Sequence, residues 1–166
     1  MNVLELELDR ANNPVDAIEQ VATFNEWAFE RPARDEIAIC VEGTWTDYQV
    51  SFSWMEDFEA LHLACAFDIK VPDNRAVETM RLIMLINEQM LFGHFDLWHS
   101  EGTVMFRQAL PLNGGAEPND SQIECLLTCA LEACERHYQA FQFVIWGGKS
   151  ARDALDNVLF ETMGEA

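Results

Sequence analysis

The stretch "YQVSFSWMEDFEALHLACAFDI", residues 48–69, decides the fold. Large apolar side chains recur at every second position, at Tyr48, Val50, Phe52 and Trp54, then at Leu61, Leu63, Cys65, Phe67 and Ile69. Between them stand Gln49, Ser51 and Ser53, then Ala60, His62, Ala64, Ala66 and Asp68. Successive side chains of a strand point to opposite faces, so this alternation means two strands with one face buried. Residues 55–59, carrying Glu56, Asp57 and Glu59, form the turn between them. Residues 37–42 alternate in the same way, and 43–47 make a second turn. Three strands joined by short turns predict an antiparallel meander with its apolar face on a helix.

Working outward, Asn13-Pro14 opens a helix, with Asn13 as cap and proline in the first turn. Ile18, Val21, Ala22, Phe24, Trp27 and Ala28 follow at helical spacing, and Pro32 closes the segment. Residues 2–9 alternate apolar with acidic and predict a short strand, or an extended arm over 1–12. Downstream, Pro72-Asp73-Asn74 starts a second helix, capped by Asp73 or Asn74. Its run from Val77 through Met80, Met84, Met90 and Leu91 is apolar on several sides, as in a helix buried twice or set at a subunit interface. Gly93 ends it. Residues 94–99 and 103–110 predict a hairpin with Glu101-Gly102 in its turn. A loop over 111–119, a long helix over about 121–146 and a last helix over 151–163 complete the chain. The order is α-β-β-β-α-β-β-α-α, an α+β class with an antiparallel sheet of about five strands. No repeat or interior linker divides it, so 1–166 reads as a single domain.

Twenty-nine acids face ten bases, a formal net charge of -19. Nucleic-acid binding needs clustered bases that displace counterions from phosphates, and the bases here are scattered. Neither DNA nor RNA is expected as a partner, and no apolar run reaches the length of a membrane span. The first residues lack the basic start of an export signal. Five cysteines in an odd set, with no C-x-x-C pair, read as reduced thiols of a cytoplasmic protein, and Cys125, Cys129 and Cys134 as small buried hydrophobes.

Gly147-Gly148-Lys149-Ser150 is spelled like the end of a phosphate-binding loop. Such a loop needs an earlier glycine at 143, where Phe143 stands, and a strand before it rather than a helix. The four residues fit a helix joint instead. A left-handed glycine closes one helix, and Ser150 caps the next, with Asp153 three residues on. His94 and Asp96 share a strand face while His99 points the other way, so at most two metal ligands converge there. Cys134 has His137 three residues on but sits on an apolar stripe, where a thiol is inert. No nucleophile elbow and no calcium-loop spacing occur. What stands out is apolar surplus, from the 77–91 helix and from Trp45, Trp54, Trp98 and Trp146. It predicts dimerisation or a partner groove.

"NEQMLFGHFDLW" (87–98), "GTVMFRQAL" (102–110) and "FQFVIWGGKSARDAL" (141–155) resemble the YbjN family of bacterial proteins. The resemblance runs from about Pro14 to the C-terminus. It implies a fold like the small acidic type III secretion chaperones, commonly dimeric, in a family described as sensory transduction regulators. It carries no catalytic or binding residues. One departure is Ala151, where the resemblance leads one to expect proline. The expected function is a non-enzymatic, chaperone-like or regulatory protein-binding module without cofactor. Its partner would be a protein client or a second copy in a homodimer, and its interaction residues Met80, Met84, Met90, Leu91 and Trp98. The alternative is a metal-dependent enzyme or metal sensor built on His94 and Asp96, with His62 or Cys65.

Overall fold

The alternation of residues 48–69 becomes two long neighbouring strands. The computed structural model describes residues 12–164, so the strand or arm expected at the N-terminus lies outside the described residues. In chain order the elements are α1 (Pro14–Phe24), β1 (Ala28–Ala33), β2 (Glu36–Glu42), β3 (Asp47–Met55), β4 (Ala60–Lys70), α2 (Ala76–Asn87), β5 (His94–Trp98), β6 (Thr103–Pro111), α3 (Asp120–Ile145) and α4 (Ala151–Gly164). The strands form one antiparallel sheet in the order β1-β2-β3-β4-β6-β5.

Register explains the core. Val50 pairs with Cys65 and Phe52 with Leu63, so the apolar halves of β3 and β4 stand side by side. All are buried. Onto this face α3 lays Ile123, Leu126, Leu127, Ala130, Cys134, Tyr138 and Phe141. Phe67 lies at the centre of an aromatic cluster, 5.2 Å from the Tyr138 ring, 5.4 Å from Phe141 and 5.8 Å from Phe95, centroid to centroid. Burying one such ring contributes about 3 kcal/mol, before any gain from ring–ring geometry.

The sheet has one strand more than the sequence pattern suggested. The helix at Asn13 is capped as expected, Asn13 Oδ1 accepting from the Val15 N–H. It ends at Phe24, however, and does not run through Trp27 and Ala28. Glu26 takes a positive φ of 58°, and residues 28–33 leave it as strand β1. Pro32 does not close a helix. It sits on an edge strand, beside a break in register, where a missing N–H costs no ladder bond. What holds β1 is distant in sequence: Arg31 pairs with Asp16 at 2.7 Å and Glu19 at 3.1 Å on α1.

The glycine-lysine-serine joint is structural. Gly148 has φ +66°, and the Lys149 N–H returns to the Phe143 carbonyl at 3.0 Å. Ser150 Oγ accepts from the Asp153 N–H at 3.2 Å, capping α4. Two residues of the α2 end hold the joint shut. Arg75 donates to the carbonyls of Val144 at 2.8 Å and Lys149 at 2.6 Å, and Glu78 Oε1 accepts the Ala151 N–H at 2.7 Å. The anion position at this helix N-terminus is therefore filled by Glu78. That bond, with Arg81 also adjacent, holds the Glu78 carboxyl below its ordinary value. It also gives Ala151 a role that proline could not fill, since proline has no N–H to donate.

Among the cysteines, Cys65 and Cys134 are buried, but the expectation for Cys125 fails. It is exposed, 3.7 Å sulfur to sulfur from half-buried Cys129.

Gly148→Ala should lower stability by about 1 kcal/mol, because its left-handed backbone, not lack of space, disfavours a side chain. Chemical denaturation checks this. His137, packed edge-on against Phe95, is held at about 4 by burial and by Arg136. It stays neutral when folded and binds a proton on unfolding, so its share of stability is present above 6.5 and lost as pH falls toward about 4. Urea midpoints at pH 7 and pH 5 should differ less in His137→Gln than in the parent.

Candidate protein-interaction surface

Helix α2 spends one face on the core, through Ala76, Thr79, Leu82, Ile83 and Ile86. Glu78 turns to the α4 joint. The remaining side carries Val77, Met80 and Met84, which are 56%, 49% and 57% exposed. Their i, i+3, i+7 spacing makes them one apolar stripe. Asn87 continues that side, one turn beyond Met84 and two beyond Met80. Its amide grips the outer edge of β5: Oδ1 accepts the Phe95 N–H at 2.9 Å, and Nδ2 donates to the Phe95 carbonyl at 3.1 Å. The stripe therefore stands along the sheet edge formed by β5.

That edge is closed to further strands. Besides the Asn87 clamp, Asp96 Oδ1 accepts the Leu97 N–H at 3.0 Å. Side chains take up the backbone groups that would otherwise recruit another chain. A partner on this side meets side chains.

The expected interaction residues do not form one patch. Met80 and Met84 lie on α2. Met90 is half-buried and packs against the core. Leu91 is 86% exposed in the loop after α2, beside Phe92 at 53%. Trp98, 40% exposed, ends β5 on the opposite, outer face of the sheet, the face of His94 and Asp96. Val77 and Phe92, not among the expected residues, are exposed beside them. Val77 was legible from its spacing to Met80 and Met84, whereas Phe92 gave no signal beyond its neighbour Leu91.

His94 and Asp96 do share the outer face, but they do not build a metal centre. Arg107 of β6 stands directly opposite His94. Its Nη1 lies 3.3 Å from Asp96 Oδ2, and its Nε donates to His62 Nε2 at 3.1 Å. A guanidinium occupies the place where a cation would sit. Cys65 faces the core, so it cannot join. Among the described residues no group of three or more His, Cys, Asp or Glu side chains could hold a metal ion. Burial first, then Arg107 and His94, keeps the His62 imidazole below its ordinary 6.5. Cys134, beside Cys65 and buried, is pushed far above the ordinary thiol range, which removes it as a nucleophile.

Residues 14–143 match the family model of YbjN, "Putative bacterial sensory transduction regulator". The chain belongs to the YbjN family. The crystal structure of YbjN from E. coli is similar in fold, with a TM-score of 0.54 at 10% identity, over 73% of this chain and 85% of that one. A chain of the HopA1-SchA chaperone-effector complex is similar with a TM-score of 0.50 at 13% identity, over 71% and 87%. The expected likeness of this YbjN-family chain to the type III secretion chaperones thus holds as a likeness of fold. No curated protein matches its sequence closely enough to count as a relative. Among the described residues no helix is long and apolar enough to cross a membrane.

An NMR titration should place His62 below 6.5. Arg107→Gln should raise it while leaving it below 6.5, because burial is the larger cause. A His62 value unmoved by the substitution would dissolve the cluster described above.

Proposed function

We propose that this YbjN-family protein is a non-enzymatic protein-binding module, chaperone-like or regulatory, working in the cytoplasm as a homodimer. The observation that carries it is the exposed stripe of Val77, Met80 and Met84 beside a sheet edge already closed by Asn87 and Asp96. Methionines suit such a contact, because an unbranched, polarisable side chain adapts to the surface it meets. The family description and the fold shared with a chaperone–effector complex support a protein partner. The net charge of -19 works against nucleic acid as partner and favours proteins with basic segments. Leu91, Phe92 and Trp98 flank the stripe across the β5 edge, and Met90 supports the loop from beneath.

Replacing Met80 or Met84 with Asp should weaken self-association at least about tenfold, since a carboxylate in a closed apolar contact costs more than about 1.4 kcal/mol. Sedimentation velocity across a concentration series reads this, and far-UV circular dichroism should not change. A parent protein that stays monomeric throughout would sink the homodimer, and association untouched by both substitutions would move the interface elsewhere.

A further inference from the structure

The β5 edge is closed, but β5 is shorter than its neighbour. It begins at His94, opposite Arg107, while β6 runs on to Pro111. The chain reaches β5 through Gly93, at φ +70°, so on the β5 side no described strand lies opposite Ala109. The direction of the Ala109 backbone follows from hydrogen-bond parity. The Trp54 N–H bonds to the Asp35 carbonyl on the β2 side. Alternation carried through the pairs Trp54↔Leu61, Ser53↔His62 and His62↔Ala109 turns the Ala109 N–H and carbonyl away from β4. The Asn87 clamp on Phe95 gives the same parity from the other side. One donor and one acceptor of an exposed residue thus face an edge on which no strand lies among the described residues.

A groove of about 390 Å³ lies at this spot, a size that takes a small ligand or a few residues of peptide. Its walls are of two kinds. Leu91 and Phe92 supply exposed apolar surface. Arg107 stands on the other wall with His62 and His94; Asp96 pairs with its Nη1 at 3.3 Å and His62 accepts from its Nε at 3.1 Å, which leaves Nη2 without a partner among the described residues. Gln108 also lines it, and its Oε1 is buried with no donor among the described residues.

We infer that this groove binds an extended peptide segment through a carboxylate. The peptide backbone continues the line of β5 and pairs with Ala109. An apolar side chain rests on Leu91 and Phe92, and the carboxylate meets the Arg107 guanidinium beside His62 and His94. The inference rests on the protein-binding reading in taking a peptide as the occupant, but it uses a different surface from the α2 stripe. The carboxylate can come from a chain terminus or from an acidic side chain.

The test is NMR titration of the isotope-labelled full chain with four probes. They are N-acetyl-trileucine as free acid, its carboxamide, N-acetyl-Leu-Asp-Leu carboxamide, and sodium acetate. Saturable shifts at Phe92, His94, Arg107 and Ala109 are expected with the free acid or the aspartyl peptide, and whichever binds tighter identifies the source. The neutral carboxamide should bind at least about tenfold more weakly, the loss of one charge-assisted contact. Arg107→Gln, checked for an intact spectrum, should lose the same factor, and Phe92→Ala should weaken binding without touching the charge. Equal binding of acid and carboxamide overturns the inference, as does indifference to Arg107→Gln, or acetate binding as tightly as the peptides. Met84→Asp should leave peptide binding intact, so a failed dimer and a failed groove are told apart.

Discussion

Phe67 is where the molecule is fastened together. It comes from the middle strand pair, yet its ring touches Tyr138 and Phe141 of α3 and Phe95 of β5. Tyr48 joins from β3, and Phe106 meets Phe95 edge to face. One cluster therefore fixes the height of the long helix over the sheet and the position of the short edge strand. Interiors pack at near-crystalline density, so these rings leave few alternative arrangements. Everything on the β5 side depends on this: the Asn87 clamp, the exposed methionine stripe and the groove at Ala109 all need β5 held in one place.

The distribution of polar fasteners follows the same logic. Helix α2 is tied at its start by Arg75 and Glu78 to the joint between α3 and α4, and at its end by Asn87 to β5. A helix pinned at both ends can afford an outward face that contributes nothing to its own fold. That is why Val77, Met80 and Met84 are free to serve a contact. The sheet shows a comparable division of labour. The β5 edge is held by side chains, which discourages unspecific strand addition, while among the described residues the outward groups of β6 at Ala109 lie beside Arg107.

Much of the architecture was legible in the chain. The two-residue alternation of β3 and β4, the Asn13-Pro14 helix start and the glycine joint at 147–148 are local signals, and each was found where it was read. Strand β1 was not legible. Trp27 just before it, with Ala28 and Pro32 within it, fit a helix end as well as an edge strand, and the decision rests on Arg31 reaching Asp16 and Glu19 on another element. The candidate surface was legible in part. Met80 and Met84 were recognisable as surplus on an over-apolar helix, whereas Met90 and Leu91, equally apolar in sequence, divide into half-buried and exposed according to how the loop turns toward Gly93.

The sequence by itself determined the α+β class, the family and the acidic excess, because alternation, spacing and charge are properties of the chain before it folds. The tertiary structure decided what the polar residues do. His94 and Asp96 read as metal ligands until Arg107, brought opposite by strand pairing, takes the cation's place. Residues 147–150 already read as a helix joint, but only the fold brings Glu78 to its helix N-terminus, 73 residues before the Ala151 whose N–H it accepts. In both cases a single charge arriving from a distant segment changes the electrostatics of the site, and no local pattern can announce which charge will arrive.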